Sequence, residues 1–161
     1  MSAISSAEDI GHSKESLRLW LRLLACESML EQYVRSNLRA EFGITLPQFD
    51  VLAELDYMKK PLTMTELSRQ LMVSNGNITG VVDRLHRDAY VERLPSEKDR
   101  RVYLISLSGK GRAAFKNMAH RHENWIGSAC EDMDVNDIKI ITKLLTKTGE
   151  KLKAKFGKST R

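Results

Sequence analysis

The chain is 161 residues long, with 42% hydrophobic residues, 29% charged residues and a formal net charge of +5. This suits one helical domain of ordinary size. Two distant cysteines, Cys26 and Cys130, exclude a disulfide framework, no apolar run reaches the length of a membrane span, and the N-terminus lacks the charged start and apolar centre of a secretory signal, so a cytoplasmic protein is expected.

Residues 1 to about 13 are small and polar and are expected to be poorly ordered. From Lys14 to Phe42 there is no proline or glycine, and Gly43 reads as a helix stop. Leu17, Leu19, Trp20, Leu21, Leu23, Leu24, Ala25 and Cys26 point almost all round this helix, leaving only a narrow polar stripe with Arg18 and Arg22. A helix apolar on most sides has to be buried on most sides, which a chain of this size cannot do alone, so a homodimer is expected. Cys26 is expected to be buried there, as a small and unreactive hydrophobe.

Thr45 with Gln48 forms a capping box, and Pro47 sits where its missing N–H costs nothing. The helix that follows carries Phe49, Leu52, Ala53 and Leu55, and Lys59-Lys60-Pro61 ends it. Thr63 with Glu66 is a second capping box, opening a short helix with Leu67 and Leu71 on one face. Val73-Ser74-Asn75-Gly76 interrupts it, and Ser74 caps a further helix running to about Ala89. Ile78, Val81, Val82 and Leu85 recur at helical spacing and face inward. Val91–Leu94 and Val102–Leu107 alternate like two strands around a polar tip, residues 95–101. Ser108 caps the next helix, which carries Ala114, Phe115, Met118, His122, Trp125, Ile126 and Ala129. Asp134 and Asp137 start the last helix, where Ile138, Ile141, Leu145, Leu152 and Phe156 share a face, and residues 157–161 read as frayed.

Helix, short turn and helix make the helix-turn-helix outline, in which the second helix enters the DNA major groove by its N-terminal end. That end offers Ser74, Asn75, Asn77 and Thr79, short hydrogen-bonding side chains suited to base edges, with asparagine suited to adenine. Arg84 is placed for a phosphate. The hairpin tip carries Lys98, Arg100 and Arg101, and a narrow minor groove attracts arginine. Most of the excess charge lies elsewhere, in the C-terminal lysines, so the DNA argument rests on position rather than on net charge. The expected fold is mainly α: a winged helix-turn-helix with a two-stranded wing, and a helical dimerisation region from the N- and C-terminal helices.

Ser74-Asn75-Gly76-Asn77-Ile78-Thr79-Gly80-Val81-Val82-Asp83-Arg84-Leu85, with Asp99, Arg101, Leu107 and Ser108 after it, resembles the MarR (multiple antibiotic resistance regulator) family of bacterial transcription factors. The resemblance covers residues 14 to 156. It implies one domain over 1–161, with 45–107 as the DNA-binding core and 14–43 and 108–156 mainly as dimerisation helices. It implies double-stranded DNA with a pseudo-palindromic operator as partner, and Asp83 orienting Arg100 or Arg101. It also implies an effector cleft lined by the first, second and fifth helices, onto which Arg18, Trp20, Arg22, Phe49 and Met118 fall. Residues Leu17 to Asp56 look like a branch that often controls aromatic-acid catabolism, and some of its members respond to hydroxycinnamoyl-CoA thioesters. The reading is therefore a homodimeric repressor released from its operator by a small aromatic carboxylate or its CoA thioester. The alternatives are a thiol-based redox sensor using Cys26, or a ligand- or protein-interaction module that does not bind DNA. His12, His86, His120 and His122 show no metal-ligand spacing, and no phosphate loop or nucleophile-with-base arrangement stands out. No cofactor, metal or catalytic activity is expected.

Overall fold

The structure, a computed structural model, describes residues 3–97, 99 and 101–156, with side chains from Gly11 onward. The elements are α1 (Ala3–Phe42), α2 (Leu46–Met58), β1 (Leu62–Thr63), α3 (Met64–Gln70), α4 (Asn75–Arg87), β2 (Val91–Pro95), β3 (Tyr103–Leu107), α5 (Gly109–Ala129) and α6 (Val135–Phe156). They fall into two compact units, Met1–Ile126 and Gly127–Arg161. Helix α1 starts earlier than Lys14, because the small polar residues before it include no proline to stop a helix. Gly43, at φ 67, ends α1, and its N–H returns to the Arg39 carbonyl at 3.1 Å.

The caps form as their spacing requires. The Thr63 N–H donates to the Glu66 carboxylate at 2.8 Å, while the Glu66 N–H donates to the Thr63 hydroxyl at 3.1 Å. Thr45 and Gln48 repeat the arrangement on α2. Ser74 caps α4, accepting the Asn77 N–H at 3.3 Å. Each pairing satisfies backbone donors that the first helical turn leaves open.

The wing strands β2 and β3 pair antiparallel, with Val91 opposite Leu107 and Pro95 opposite Tyr103. A third strand completes the sheet in the order β1-β3-β2, through Leu62 opposite Ile105 and Thr63 opposite Leu104. Two residues carry no alternation, so β1 is visible only through its partner. The core of the first unit is built from Leu38 of α1, Val51 and Leu52 of α2, Leu67 of α3, Ile78, Val82 and Leu85 of α4, and Ile105 of β3. Helix α6 of the second unit is capped by Asp134, whose carboxylate accepts the Asn136 N–H at 2.7 Å, and buries no residue. No helix among the described residues is long and apolar enough to cross a membrane.

Ser108 knots α5 to the start of the wing. Its hydroxyl donates to the Ala89 carbonyl at 2.7 Å and accepts the Gly111 N–H at 2.8 Å, while its own N–H reaches the Tyr90 carbonyl at 3.1 Å. Gly111 is pressed so closely on the Tyr90 carbonyl that a Cβ would collide with backbone. Gly127, on the same helix, faces open space. Gly111→Ala is therefore expected to cost about 1–3 kcal/mol or more through overpacking, while Gly127→Ala stays neutral or gains up to about 1 kcal/mol of helix propensity. Urea unfolding of the two variants checks this, and equal midpoints would remove the proposed close contact.

Candidate nucleic-acid interface

Helix α4 divides its residues cleanly. Ile78, Val82 and Leu85 are buried, while Ser74, Asn75, Asn77, Thr79, Asp83 and Arg84 stand exposed around its N-terminal and outer faces. The expected base readers are not equally free. The Ser74 hydroxyl is engaged by the cap, and the Thr79 hydroxyl donates to the Asn75 carbonyl at 2.8 Å. Asn75 and Asn77 keep side-chain amides without a partner among the described residues, so they hold the donor and acceptor pair that an adenine edge can meet. The open N–H groups of the first turn add a positive end suited to phosphate. Arg84 is exposed and unpaired among the described residues, whereas Arg87 lies 3.9 Å from Asp88.

The wing tip is closed by its own backbone and by Asp99. The Ser96 N–H reaches the Val102 carbonyl at 2.9 Å, and the Asp99 carboxylate accepts the Arg101 N–H at 2.9 Å. The Arg101 side chain is exposed and makes no ion pair among the described residues. Lys98 and Arg100 lie outside the described residues.

Asp83 is expected to orient Arg100 or Arg101. Among the described residues its carboxylate pairs with Arg93 of β2 and Arg101 makes no ion pair, while Arg100 lies outside them. Arg93 sits opposite Ile105, at the root of the wing. The tip begins beyond the Pro95–Tyr103 pair, roughly 7 Å further along the strand at 3.3 Å per residue. The pair ties α4 to β2, and Arg93 Nε is buried without a hydrogen-bond partner.

The expected effector residues fall into two places. Phe49 and Met118 are buried in one core cluster, where the Phe49 ring lies 5.6 Å from Phe115 and 5.1 Å from His122. Burial pushes the His122 imidazole below its usual pKa. Arg18, Trp20 and Arg22 lie on the exposed part of α1, Trp20 at 58% exposure, and a single chain does not bring them to Phe49. In the single chain Cys26 is exposed on the same segment, where burial is expected from a dimer partner.

A cluster with no sequence signature joins α1 to α5. Arg121 donates twice to the Glu41 carboxylate, both at 2.8 Å, and the Trp125 indole N–H reaches it at 3.1 Å. The Arg121 hydrogen bond holds the Glu41 carboxyl below its usual pKa. Eighty residues separate the partners, so helical spacing carries no trace of the contact.

A family model described as MarR family matches residues 42–102. The chain is 33% identical over 124 residues to the transcriptional activatory protein BadR of Rhodopseudomonas palustris, covering 75% of this chain and 70% of that protein. It is 30% identical over 130 residues to an HTH-type transcriptional regulator of Bacillus cereus, with 80% and 85% covered. Among solved structures it is similar to a MarR family transcriptional regulator from Silicibacter pomeroyi, at TM-score 0.76 and 26% identity, covering 88% of this chain and 97% of that one.

The Asp83–Arg93 pair has side-chain exposures of 54% and 31%, so water and salt screen it. A double-mutant cycle of Asp83→Ala and Arg93→Ala is expected to give a coupling of about 0.5–1 kcal/mol in unfolding free energy at low salt. The coupling should shrink at 1 M salt, where the screening length is about 3 Å. Zero coupling at low salt would show that the pair does not hold the wing.

Proposed function

The chain belongs to the MarR family of transcriptional regulators, and from that premise we propose that it is a homodimer that grips a pseudo-palindromic operator with α4 and the wing and is released by a small aromatic anion. The observation that carries the DNA reading is the division of α4. Three buried side chains hold the helix, and its free N-terminal end presents Asn75 and Asn77 with their amides unspent. In this reading Asn75 and Asn77 read bases, and Ser74 and Thr79 position the helix end. Arg84 meets a phosphate, and Arg101, with Lys98 and Arg100, follows the minor groove.

The dimer reading is supported by apolar surface that its own chain leaves open. Leu17, Trp20 and Leu21 of α1 are each more than half exposed, and Ile140, Leu144 and Phe156 of α6 are also exposed. Residues 14–43 and 108–156 would supply the dimer helices, with 45–107 as the DNA-binding core. The proposed effector is an aromatic carboxylate or its CoA thioester. Trp20, Phe49 and Met118 would form its apolar wall, and Arg18 or Arg22 would neutralise the anion, once a second subunit encloses the cleft. The relative from R. palustris is named as an activator; this chain is proposed as a repressor, and the direction of the response to the effector tests that. A ligand moves this equilibrium only by its preference for one state, and a near-complete switch needs about 5.5 kcal/mol of preference per dimer.

A second reading, redox control through Cys26, requires that thiol to stay exposed in the dimer as it is in the single chain. Release by peroxide that disappears in Cys26→Ser would select it over the aromatic effector.

A gel shift on the DNA upstream of the protein's own coding region tests the DNA reading. Asn77→Ala is expected to weaken specific binding by about 1–3 kcal/mol and to spare non-specific binding. Arg101→Ala should lower affinity and reduce the salt slope by about one. Equal losses for Asn77→Ala on specific and random DNA would remove direct readout by this residue. Light scattering should give a dimer, and a footprint should show half-sites about 10 bp apart. A monomer at micromolar concentration would refute the two-fold arrangement.

A further inference from the structure

A recess of about 310 Å³ opens beside the recognition helix, away from the Phe49 cluster. Pro47 of α2, Leu71 and Val73 of the α3–α4 turn, and Val81 of α4 give it apolar walls, and Asp50 and Asn77 are its polar members. Asp50 follows Phe49 on α2, and successive residues on a helix point about 100° apart. The two therefore serve different faces, Phe49 the core shared with Phe115 and His122, Asp50 the recess.

Asp50 is the one ionisable residue in this lining, and no arginine, lysine or histidine joins it. Its carboxylate makes no hydrogen bond or ion pair among the described residues. The charged groups that act on it lie on α1, Glu31 and Arg35, and Arg35 is already paired with Glu31. The neighbourhood therefore keeps one uncompensated negative charge. Burial, with Glu31 adding to it, pushes the Asp50 carboxyl up to about 6. At pH 7 such a group is still about nine-tenths ionised, so it remains an anion in an apolar setting. A bound cation would relieve that cost, whereas an anion would add to it. The volume is at the small end for ligand pockets, which run from about 300 to 1,000 Å³.

We propose that this recess binds a small apolar cation, an arylalkylammonium with its ring between Leu71, Val73 and Val81 and its ammonium at Asp50, and that its occupation draws Asn77 away from DNA. The coupling follows from one residue serving two surfaces. Asn77 lines the recess and also stands exposed at the end of α4, so the coupling rests on the reading of α4 as the DNA-facing helix. The ligand is opposite in charge to the proposed aromatic anion and occupies a different place, so the two would be independent inputs. By linkage, the factor by which the cation weakens DNA binding equals the factor by which DNA weakens cation binding.

The test uses the full-length protein and three probes of one shape: protonated tryptamine, neutral tryptophol and anionic indole-3-acetate. Calorimetry without DNA is expected to show tryptamine binding, tryptophol at least about tenfold weaker, and no heat from the acetate; tenfold corresponds to about 1.4 kcal/mol. Asp50→Asn should bring tryptamine down to the level of tryptophol. Val73→Phe, at an exposed turn position, should weaken both by narrowing the recess, and it gives a second variant should Asp50→Asn fail to fold. Operator affinity should fall in saturating tryptamine for the wild type and stay constant for Asp50→Asn. Equal binding of indole-3-acetate, unchanged tryptamine affinity in both variants, or no tryptamine binding would each overturn the site. Tryptamine binding that leaves operator affinity untouched would overturn the coupling. If the ligand-free protein does not bind its operator, the DNA reading and the coupling fall together, while calorimetry still decides the site.

Discussion

The structure turns on the buried seam of α4. Ile78, Val82 and Leu85 are all within 2% of complete burial, packed into the core with Leu52 of α2 and Ile105 of β3. Burying three such side chains contributes roughly 5–9 kcal/mol before entropy is counted. That seam sets the rotation of the helix about its axis. Because it fixes which face points inward, it also fixes that Asn75, Asn77 and Arg84 point outward. The polar contacts around the helix, the Ser74 cap and the Asp83–Arg93 pair, set its end and its angle to the wing more than its depth.

Two further ties keep the wing in place relative to that helix. At one end, Ser108 and Gly111 clamp the start of α5 onto the backbone of Ala89 and Tyr90, where α4 gives way to β2. Further along β2, Arg93 reaches back to Asp83. The first tie is backbone on backbone and leaves no room for a side chain, so it is rigid. The second is a half-exposed ion pair that salt weakens.

The outer part of α1 obeys a different rule. From Leu17 to Leu24 it presents apolar side chains on nearly every side, and Leu17, Leu19, Trp20, Leu21 and Leu24 are exposed. The polar cluster of Glu41, Arg121 and Trp125 anchors only the far end of the helix. Exposed apolar surface of this extent is the kind that marks interaction sites, and Trp20 lies within it while Phe49 is buried in the core.

The amino-acid sequence was sufficient for whatever depends on residues a few positions apart. The capping boxes of Thr45 with Gln48 and Thr63 with Glu66, the Ser74 and Ser108 caps, the stop at Gly43 and the inward face of α4 are all local, because a helix closes its bonds within four residues. The winged helix-turn-helix was legible for the same reason, as a series of such signals in order. Contacts between distant residues were decided only by the tertiary structure. Sheet register placed Arg93 against Asp83, and β1 is a strand only through Ile105 beside Leu62. Packing brought Arg121 to Glu41 and enclosed the recess between Asp50, Val73 and Asn77. No periodicity encodes which distant side chain completes a pair, since that follows from how whole elements lie on one another.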